Sequence, residues 1–179
     1  MIKLTNVQEE IYDVVDEMDQ VIGQATRREI HKKNLLHRSI HILVFNSKNE
    51  LFLQKRSMNK DESPGLWDTS SAGHVDSGET YDDCAHRELW EELGIKALLK
   101  PLEKIEACQE TCQEHAQIYT CRTNTTIKIN LDEISEGKYF DLRVLESEVK
   151  KKPEKFTSTF KLILREFGAV LSTIASIKL

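Results

Sequence analysis

Acidic side chains share one face of a helix-forming segment that follows a glycine-rich turn. Residues 73–95 read GHVDSGETYDDCAHRELWEELGI. At about 100° per residue, Glu92 lies about 40° from Glu88 and Glu91 about −60° from it, so three carboxylates share that face. Like charges at this spacing repel each other, and a hard divalent cation such as Mg²⁺, which takes oxygen ligands, relieves the repulsion. The segment therefore predicts a Mg²⁺ site, with a solvated acidic helix face as the alternative.

The fixed positions of this segment resemble the Nudix box of pyrophosphohydrolases. The box is filled by Gly73, Glu79, Arg87, Glu88, Leu89, Glu91, Glu92, Gly94 and Ile95. The resemblance implies hydrolysis of a diphosphate linkage in a nucleotide-type or other small-molecule diphosphate, with Mg²⁺ as cofactor and Mn²⁺ as the alternative ion. It also implies the Nudix fold, an α/β/α sandwich around a mixed β-sheet in the α+β class, as a single domain over residues 1–179.

The same resemblance implies a role for each box residue. Glu88 and Glu92 are expected to be direct metal ligands. Glu91 is expected to be either a third ligand or the base that activates the water, and the two alternatives stay open. Backbone oxygen near Gly73 is expected to complete the metal shell. Arg87 is expected to hold a box carboxylate or a loop carbonyl in place, a bidentate task that suits a guanidinium.

Residues 35–75 are similar to the isopentenyl-diphosphate isomerases, which share the Nudix fold. That resemblance implies that Arg56 and Lys60 bind the diphosphate, together with Arg27. It also implies a second metal site, whose candidate ligands are His31, His37, His74 and Glu114. The alternative for any one of these histidines is an ordinary surface or core residue, and only their grouping favours a site.

Two departures from the isomerases favour hydrolysis. Ala72 stands where the isomerases carry their catalytic cysteine, and a methyl group cannot transfer a proton to an allylic carbon. Cys112 stands at the position of the second metal carboxylate. The box is intact here, whereas the isomerases keep only a degenerate one. We therefore predict a Nudix pyrophosphohydrolase, with an enzyme acting like the isomerases on prenyl diphosphates as the alternative. A catalytically inactive binding module is disfavoured, since it would be expected to lose box glutamates.

Composition limits the partners. The chain has 179 residues, of which 39% are hydrophobic, and this composition predicts one globular domain that does not bind a membrane. Its net charge of −5 predicts that it does not bind nucleic acid polymer. The first residues lack a sustained apolar run, so we expect no signal peptide and a cytoplasmic location. The four cysteines lack paired metal-site spacing, so we expect reduced thiols. The predicted partner is a small-molecule diphosphate; the oligomeric state stays open, with a homodimer as one alternative.

The elements that must position these residues follow from local patterns. A polar connector at 27–33 is predicted to be helical, and the box helix is predicted over 81–93, with Thr80 and Asp83 as a capping box and Gly94 at its end. Predicted strands cover 11–15 and 21–25, an N-terminal hairpin extension, then 39–45, 51–54, 67–72, 97–108, 115–122, 126–131 and 138–140. Two further helices are predicted over 143–151 and 156–167.

Overall fold

A seven-stranded mixed sheet lies between two layers of helices in this computed structural model, which describes residues 9–176. The strands are β1 Ile11–Val15, β2 Val21–Thr26, β3 His37–Phe45, β4 Leu51–Arg56, β5 Trp67–Asp68, β6 Ser71–His74, β7 Lys100–Ile105, β8 Glu114–Arg122 and β9 Ile134–Phe140. The helices are α1 Arg27–Lys33, α2 Tyr81–Leu93, α3 Leu142–Lys151 and α4 Ser158–Ser176, with a 3₁₀ turn at Pro153–Lys155. Within residues 9–176, no helix combines the length and apolar character needed to cross a membrane.

Strand β3 is the central strand of the sheet. The strand order is β5-β4-β3-β8-β7, with β6 also paired to β3 and β9 paired to β4. Strand β8 runs parallel to β3 with His37 opposite Glu114, whereas β6 runs antiparallel to it with His41 opposite Ala72. Strand β4 pairs with β3 only beside the hairpin turn, at Val44 and Phe45. Strands β4 and β6 therefore lie along different parts of β3, and the opening between them receives side chains from α2.

Each face of the sheet packs against its own apolar cluster. On one face, Leu89 and Leu93 of α2 pack with Ile40 and Ile42 of β3. On the other face, the apolar side of α3 and α4 packs against β3 and β8, and its core includes the predicted positions Phe160, Leu162, Ile163 and Phe167. This arrangement confirms the predicted α/β/α sandwich of the α+β class. Buried apolar area on both faces stabilises the sheet and fixes which β3 side chains reach each layer.

The box helix α2 has the predicted bounds. Thr80 caps its N-terminus, where the Thr80 hydroxyl oxygen accepts a hydrogen bond from the Asp83 amide at 3.1 Å. Gly94 ends the helix in the left-handed region at φ 63°, a conformation that costs glycine no Cβ clash. The predicted capping box is wrong in one respect, because the Asp83 carboxylate accepts from the Thr80 hydroxyl at 2.7 Å rather than from its backbone amide.

Other predicted boundaries need correction. Residues 67–72 are not one strand, since β5 pairs with β4 and β6 pairs with β3. Residues 126–131 are not a strand, because the Lys128 and Asn130 amides donate to the carbonyls of Leu93 and Glu92 at the end of α2. Strand β7 is shorter than predicted, and α4 begins at Ser158 and continues well past residue 167. The 126–131 segment thus supplies the donors that the last turn of α2 needs.

The N-terminal hairpin β1–β2 fixes the loop that precedes α2. The Asp13 carboxylate accepts hydrogen bonds from the Ser77 hydroxyl at 2.8 Å and from the Gly78 amide at 3.2 Å. Tyr12 forms an isolated bridge to Asp76 in the same loop. The hairpin therefore holds the glycine turn that brings the box helix to the sheet.

Candidate functional site

A cavity of about 540 Å³ opens between the box helix, the β4–β5 loop and the start of α4. Strand β3 forms its floor through Ser39 and His41. The predicted site residues reach it from two sides. The carboxylate cluster, defined as Glu88, Glu91 and Glu92, lies on the α2 side. The histidine cluster, defined as His31, His37, His74, Glu62 and Glu114, lies on the side of α1 and the first residues of β3 and β8.

Glu92 is the most constrained member of the carboxylate cluster. It is 4% exposed and lies in the opening between β4 and β6. One of its oxygens accepts hydrogen bonds from the Gln54 side chain and from the Ala72 amide, both at 3.0 Å. Burial raises the pKa of the Glu92 carboxyl despite these donors. The sheet thus holds one oxygen of Glu92 and leaves the other at the cavity wall.

Glu88 lies one turn earlier and packs directly on the backbone of β6. A Cβ added at Gly73 would overlap the Glu88 carboxylate, so this position of Glu88 requires glycine at 73. Burial, followed by the neighbouring charge of Glu92, raises the pKa of the Glu88 carboxyl to about 8. Two buried carboxyl groups this close resist simultaneous ionisation without a cation. Gly73 therefore contributes space, in addition to the backbone oxygen expected from the sequence.

Arg87 links the box helix to the preceding loop. It donates to both oxygens of Glu79 at 2.9 and 2.8 Å, and to the backbone carbonyl of His74 at 3.2 Å. Its remaining nitrogen donates to Glu88 at 2.6 Å and to Glu91 at 3.3 Å. Such a bidentate carboxylate pair has strong directionality. Arg87 thus lies where the sequence predicted, holding both a box carboxylate and a loop carbonyl.

Glu91 differs from the other two carboxylates because it is accessible. Its side chain is 55% exposed. Among the described residues, its carboxylate accepts a hydrogen bond only from Arg87, at 3.3 Å. The Glu91 carboxylate can therefore change rotamer at low cost, whereas Glu92 cannot. The cluster combines two buried carboxyl groups with one mobile carboxylate at the cavity mouth.

Basic side chains lie across the cavity from the carboxylate cluster. Arg56 donates to the Glu62 backbone carbonyl at 2.9 Å and pairs with Asp68 at 3.5 Å. Lys60 forms an ion pair with Glu133, and burial lowers its pKa. The structure brings these two predicted diphosphate ligands together at the cavity wall.

Arg27 also lines the cavity, but it lies at the mouth. Its closest acidic partners are Glu10 at 3.7 Å and Asp61 at 4.0 Å, distances that leave its donors weakly engaged. Its side chain is 30% exposed. The three predicted basic residues thus share one cavity but differ in depth.

The histidine cluster brings together residues from different parts of the chain. The rings of His31, His37 and His74 lie 5.1–5.5 Å apart between centroids. A Glu114 oxygen lies 3.1 Å from His74 Nε2 and 3.6 Å from His37 Nε2. Burial alone would raise the pKa of the Glu114 carboxyl, but its interactions with the rings of His74 and His37 hold that pKa well below its usual range. All four residues predicted for a second metal site therefore meet at one place.

Two histidine nitrogens in this cluster lack a partner among the described residues. The Nε2 atoms of His31 and His37 are buried without a hydrogen bond. The Nδ1 atom of His37 lies 3.0 Å from the Leu35 carbonyl, so Nδ1 carries the proton and Nε2 presents a lone pair. Buried polar atoms rarely stay unpaired, and a ligand set in which the other ring nitrogen is anchored is typical of metal-binding histidine.

Glu62 is a member of the cluster that the sequence analysis missed. Its carboxylate lies 2.9 Å from His31 Nδ1, and it forms a group with His74 and Glu114 whose ligand atoms lie within 4.8 Å of one another. Cys112, the residue at the expected second carboxylate position, also lines the cavity, and burial raises the pKa of its thiol to about 11. Glu62 therefore supplies a second carboxylate from the β4–β5 loop, where no spacing rule could have identified it.

Comparisons with known proteins agree with this geometry. Residues 35–160 match the family model for the NUDIX domain. The chain is 36% identical over 164 residues to isopentenyl-diphosphate Delta-isomerase 2 of Photorhabdus laumondii, covering 87% of this chain and 91% of that protein. It is also 35% identical over 126 residues to an uncharacterized Nudix hydrolase of Pseudomonas aeruginosa, covering 70% of this chain and 75% of that one.

Among solved structures, DR0079 from Deinococcus radiodurans superposes with a TM-score of 0.77 at 28% identity, covering 87% of this chain and 98% of that one. The relatives thus include proteins named as isomerases and proteins named as hydrolases. The match over residues 35–160, together with the box that forms α2, establishes that this chain belongs to the Nudix family.

Proposed function

We propose that this protein is a Mg²⁺-dependent hydrolase that cleaves the diphosphate linkage of a nucleotide-type or other small-molecule diphosphate. The observation that carries the proposal is the carboxylate cluster, in which Glu88 and Glu92 are buried side by side and Glu88 has a raised pKa. Such a cluster is unfavourable without a cation and favourable with one. The single-domain organisation, the cytoplasmic location and the homodimer alternative remain predictions.

The donor set of the carboxylate cluster fits a hard divalent ion. It offers carboxylate oxygens from Glu88, Glu91 and Glu92, and Gly73 leaves room for the first of them. Mg²⁺ prefers such oxygens and usually keeps several waters, and Mn²⁺ accepts the same ligands. When bound, the ion would neutralise diphosphate oxygens and make a bound water more acidic. The residues holding it would be Glu88 and Glu92, with backbone oxygen near Gly73.

The protein's own groups would then orient the substrate. Arg56 and Lys60 face the cavity from the β4 side, opposite the cluster, and Arg27 stands at the mouth. A diphosphate placed between the basic side and the carboxylate cluster would have its charge balanced from both sides. We assign Arg56 and Lys60 to hold the diphosphate, and Arg27 to contact its outer end.

Glu91 is the best candidate for the general base. Glu92 is fixed by two hydrogen bonds and Glu88 is packed on β6, whereas Glu91 is exposed and bonded only to Arg87 among the described residues. A base must reach the water that it deprotonates, which favours the mobile carboxylate. Glu91 would accept the proton of the attacking water, while Arg87 keeps Glu88 in place.

The histidine cluster supports a second metal site beside the cavity, which Glu62, His74 and Glu114 line. The unpaired Nε2 atoms of His31 and His37, with His74, Glu114 and Glu62 beside them, form a mixed nitrogen and oxygen donor set. Imidazole favours transition ions such as Zn²⁺ over Mg²⁺. We propose that these residues hold an ion distinct from the one in the carboxylate cluster, where it would add positive charge near the diphosphate.

Isomerisation of prenyl diphosphates is the second candidate, because similar relatives are named isomerases. The chain places Ala72 at the cavity wall, beside His41 in the sheet. Its methyl group offers no proton, and the buried serines at 70 and 71 do not line the cavity. Cys112 does line it, and its protonated thiol is the acid that this alternative would have to use.

One experiment separates the two candidates. Purified protein with Mg²⁺ would be incubated in D₂O with nucleoside, sugar-nucleotide and prenyl diphosphates, and the products followed by phosphorus and proton NMR. We expect phosphate-ester products from at least one diphosphate and no deuterium in the allylic positions of the prenyl compounds. Deuterium incorporation at an enzymatic rate, lost in the Cys112→Ala variant, would replace the hydrolase proposal with an isomerase.

A further inference from the structure

Nearly all the residues that line the cavity carry a polar or charged group. Ala72 contributes the one aliphatic side chain among the described residues that line it, and Tyr12 contributes the one phenol ring. Tyr12 is 3% exposed and stacks on His74 with 4.9 Å between ring centroids, so its ring face is already covered. A hydrocarbon chain entering this cavity would lie against charged and hydroxyl groups without gaining apolar burial. The phenol ring of Tyr12 is therefore not available for stacking on a nucleobase.

Strand β3 changes character where it reaches the cavity. Leu43 and Phe45 belong to the apolar core beneath α3 and α4. His41 and Ser39 lie two and four residues before Leu43 on the same face of the strand, and both line the cavity. Both polar side chains are more than nine-tenths buried, at 2% and 5% exposure. The Ser39 hydroxyl has no hydrogen-bond partner among the described residues. Buried hydroxyl groups are usually hydrogen-bonded, and a ligand in the cavity could supply the partner of the Ser39 hydroxyl.

His41 presents a defined acceptor to the same space. Its Nδ1 atom lies 2.9 Å from the Thr69 hydroxyl, which itself donates to the Ser71 carbonyl at 3.3 Å. Because the Thr69 proton is used there, His41 Nδ1 carries the proton that it donates to Thr69, and Nε2 keeps a lone pair. Burial lowers the pKa of His41, in agreement with a neutral ring. The β3 floor thus offers one acceptor, His41 Nε2, and one free hydroxyl, Ser39.

The residues predicted to hold the diphosphate adjoin this floor. Asp68 pairs with Arg56 and accepts a hydrogen bond from the Thr157 hydroxyl at 2.9 Å. The Thr157 hydroxyl oxygen also accepts a hydrogen bond from the Phe160 amide at 3.2 Å, in the first turn of α4. His41 lies opposite Ala72 in the sheet, and the Ala72 amide donates to Glu92. The floor formed by Ser39 and His41 therefore lies within reach of the substituent of a diphosphate held between Arg56 and the carboxylate cluster.

We propose that this floor binds a hydroxyl-rich substituent, such as the sugar of a sugar diphosphate or of a nucleoside diphosphate, and that Ser39 and His41 are its specificity-determining contacts. The proposal rests on the diphosphate hydrolase function and names the substrate class of the same site. Sugar hydroxyls both donate and accept, so one can satisfy His41 Nε2 while another pairs with the Ser39 hydroxyl. An isoprenoid group would leave both polar atoms buried and unpaired, which is costly.

A matched pair of substrates tests the proposal. Ribose 5-diphosphate and isopentenyl diphosphate are both five-carbon monoesters of diphosphate, and they differ chiefly in hydroxyl groups. With Mg²⁺ and phosphate release as the readout, we expect kcat/KM for the ribose compound to exceed that for the isopentenyl compound by at least about 10-fold. Nucleoside diphosphates that differ only in the base should be cleaved with similar efficiency, since the floor recognises the sugar.

Variants assign the preference to the floor. Ser39→Ala removes the free hydroxyl with little change of volume, and His41→Leu replaces the acceptor by an apolar group. Each should lower kcat/KM for the ribose compound by about 5- to 100-fold and leave that for the isopentenyl compound unchanged or higher. Ser47→Ala, in the exposed β3–β4 turn, is the matched control and should behave as the wild type. If His41→Leu does not fold, Ser39→Ala alone decides.

The outcomes separate this proposal from the hydrolase function. Cleavage of neither compound, nor of any other diphosphate, would overturn the hydrolase function itself. Equal or preferred cleavage of isopentenyl diphosphate would overturn the hydroxyl-binding floor and leave the hydrolase function standing. An intact ribose preference in the Ser39→Ala and His41→Leu variants would show that the selectivity arises elsewhere in the cavity, which also overturns the proposal.

Discussion

The carboxylate cluster lines the cavity, the histidine cluster reaches it only through Glu62, His74 and Glu114, and the two clusters are built in different ways. The first comes from one helix, α2, whose period places Glu88, Glu91 and Glu92 on one face. The second takes its members from α1, β3, β6, β8 and the β4–β5 loop. A cluster on one helix forms as soon as that helix does, whereas a cluster from five segments exists only when the sheet and loop are in place. A local sequence pattern can therefore reveal the carboxylate cluster but not the histidine cluster.

The two clusters also differ in chemistry. The carboxylate cluster presents only oxygen ligands, and burial, followed by the charge of Glu92, raises the pKa of Glu88 to about 8. In the histidine cluster, the neighbouring rings of His74 and His37 lower the pKa of Glu114, and the Nε2 atoms of His31 and His37 have no hydrogen-bond partner among the described residues. Hard ions favour the first set and transition ions the second.

The largest effect is expected from the carboxylate cluster. Glu92→Gln or Glu88→Gln should lower kcat by more than about 100-fold, because loss of a direct metal ligand should exceed the 10- to 100-fold cost typical of a residue that only orients one. The measurement is steady-state hydrolysis of the best diphosphate with Mg²⁺. Thermal unfolding should show that both variants remain folded, since each removes a charge from a repulsive cluster.

Glu103→Gln is the matched control for these variants, because Glu103 lies exposed on β7, away from the cavity. It should leave kcat within about twofold of the wild type. Near-normal turnover in the Glu92→Gln variant would contradict the assignment of Glu92 as a metal ligand.

A smaller effect is expected when the histidine cluster is disrupted. His37→Ala should remove about one transition ion per chain from the purified protein, because it deletes an unpaired buried Nε2, while hydrolysis with added Mg²⁺ should fall by about 10-fold or less. Elemental analysis of the protein checks the first expectation and kinetics the second. Glu88→Gln should show the reverse pattern, keeping the transition ion and losing activity.

His86→Ala is the control, since His86 is exposed on the outer side of α2 and lies outside the cavity. Its metal content should equal that of the wild type. Unchanged metal content in the His37→Ala variant as well would mean that the cluster is a set of core histidines.

The parts of the molecule that local chemistry specifies were predictable. The box helix has its predicted bounds because Thr80 and Gly94 determine its ends within the segment itself. The strand predicted at 126–131 is wrong because its amides are used by the carbonyls at the end of α2, a partner remote in sequence. Propensity cannot register such a long-range hydrogen bond.

The candidate site divides in the same way. The box carboxylates and Arg87 follow from helical spacing, and family resemblance supplied the histidines. Glu62 was missed because it reaches His31 from a loop, and Ser39 and His41 were missed because their strand looked like an ordinary core strand. Alternation along β3 could have flagged the last two, since both polar residues lie on the face that later carries Leu43 and Phe45.

The smallest effect concerns the thermal stability of the metal-free protein and its dependence on pH. The pKa of Glu88 is raised from 4.5 to about 8, so the folded chain binds this proton more tightly than the unfolded chain does. Its contribution to the free energy of unfolding is therefore complete below about pH 4.5 and is lost as pH rises through about 8. In chelator, Glu88→Gln should gain about 3–6 °C in Tm over the wild type between pH 5 and 8, whereas Glu103→Gln should follow the wild type. Saturating Mg²⁺ should remove the gap, because the ion offsets the repulsion that the proton had relieved. Parallel Tm curves for wild type and Glu88→Gln in chelator would mean that the carboxylate cluster carries no excess charge, and its likeness to a metal site would then be one of sequence alone.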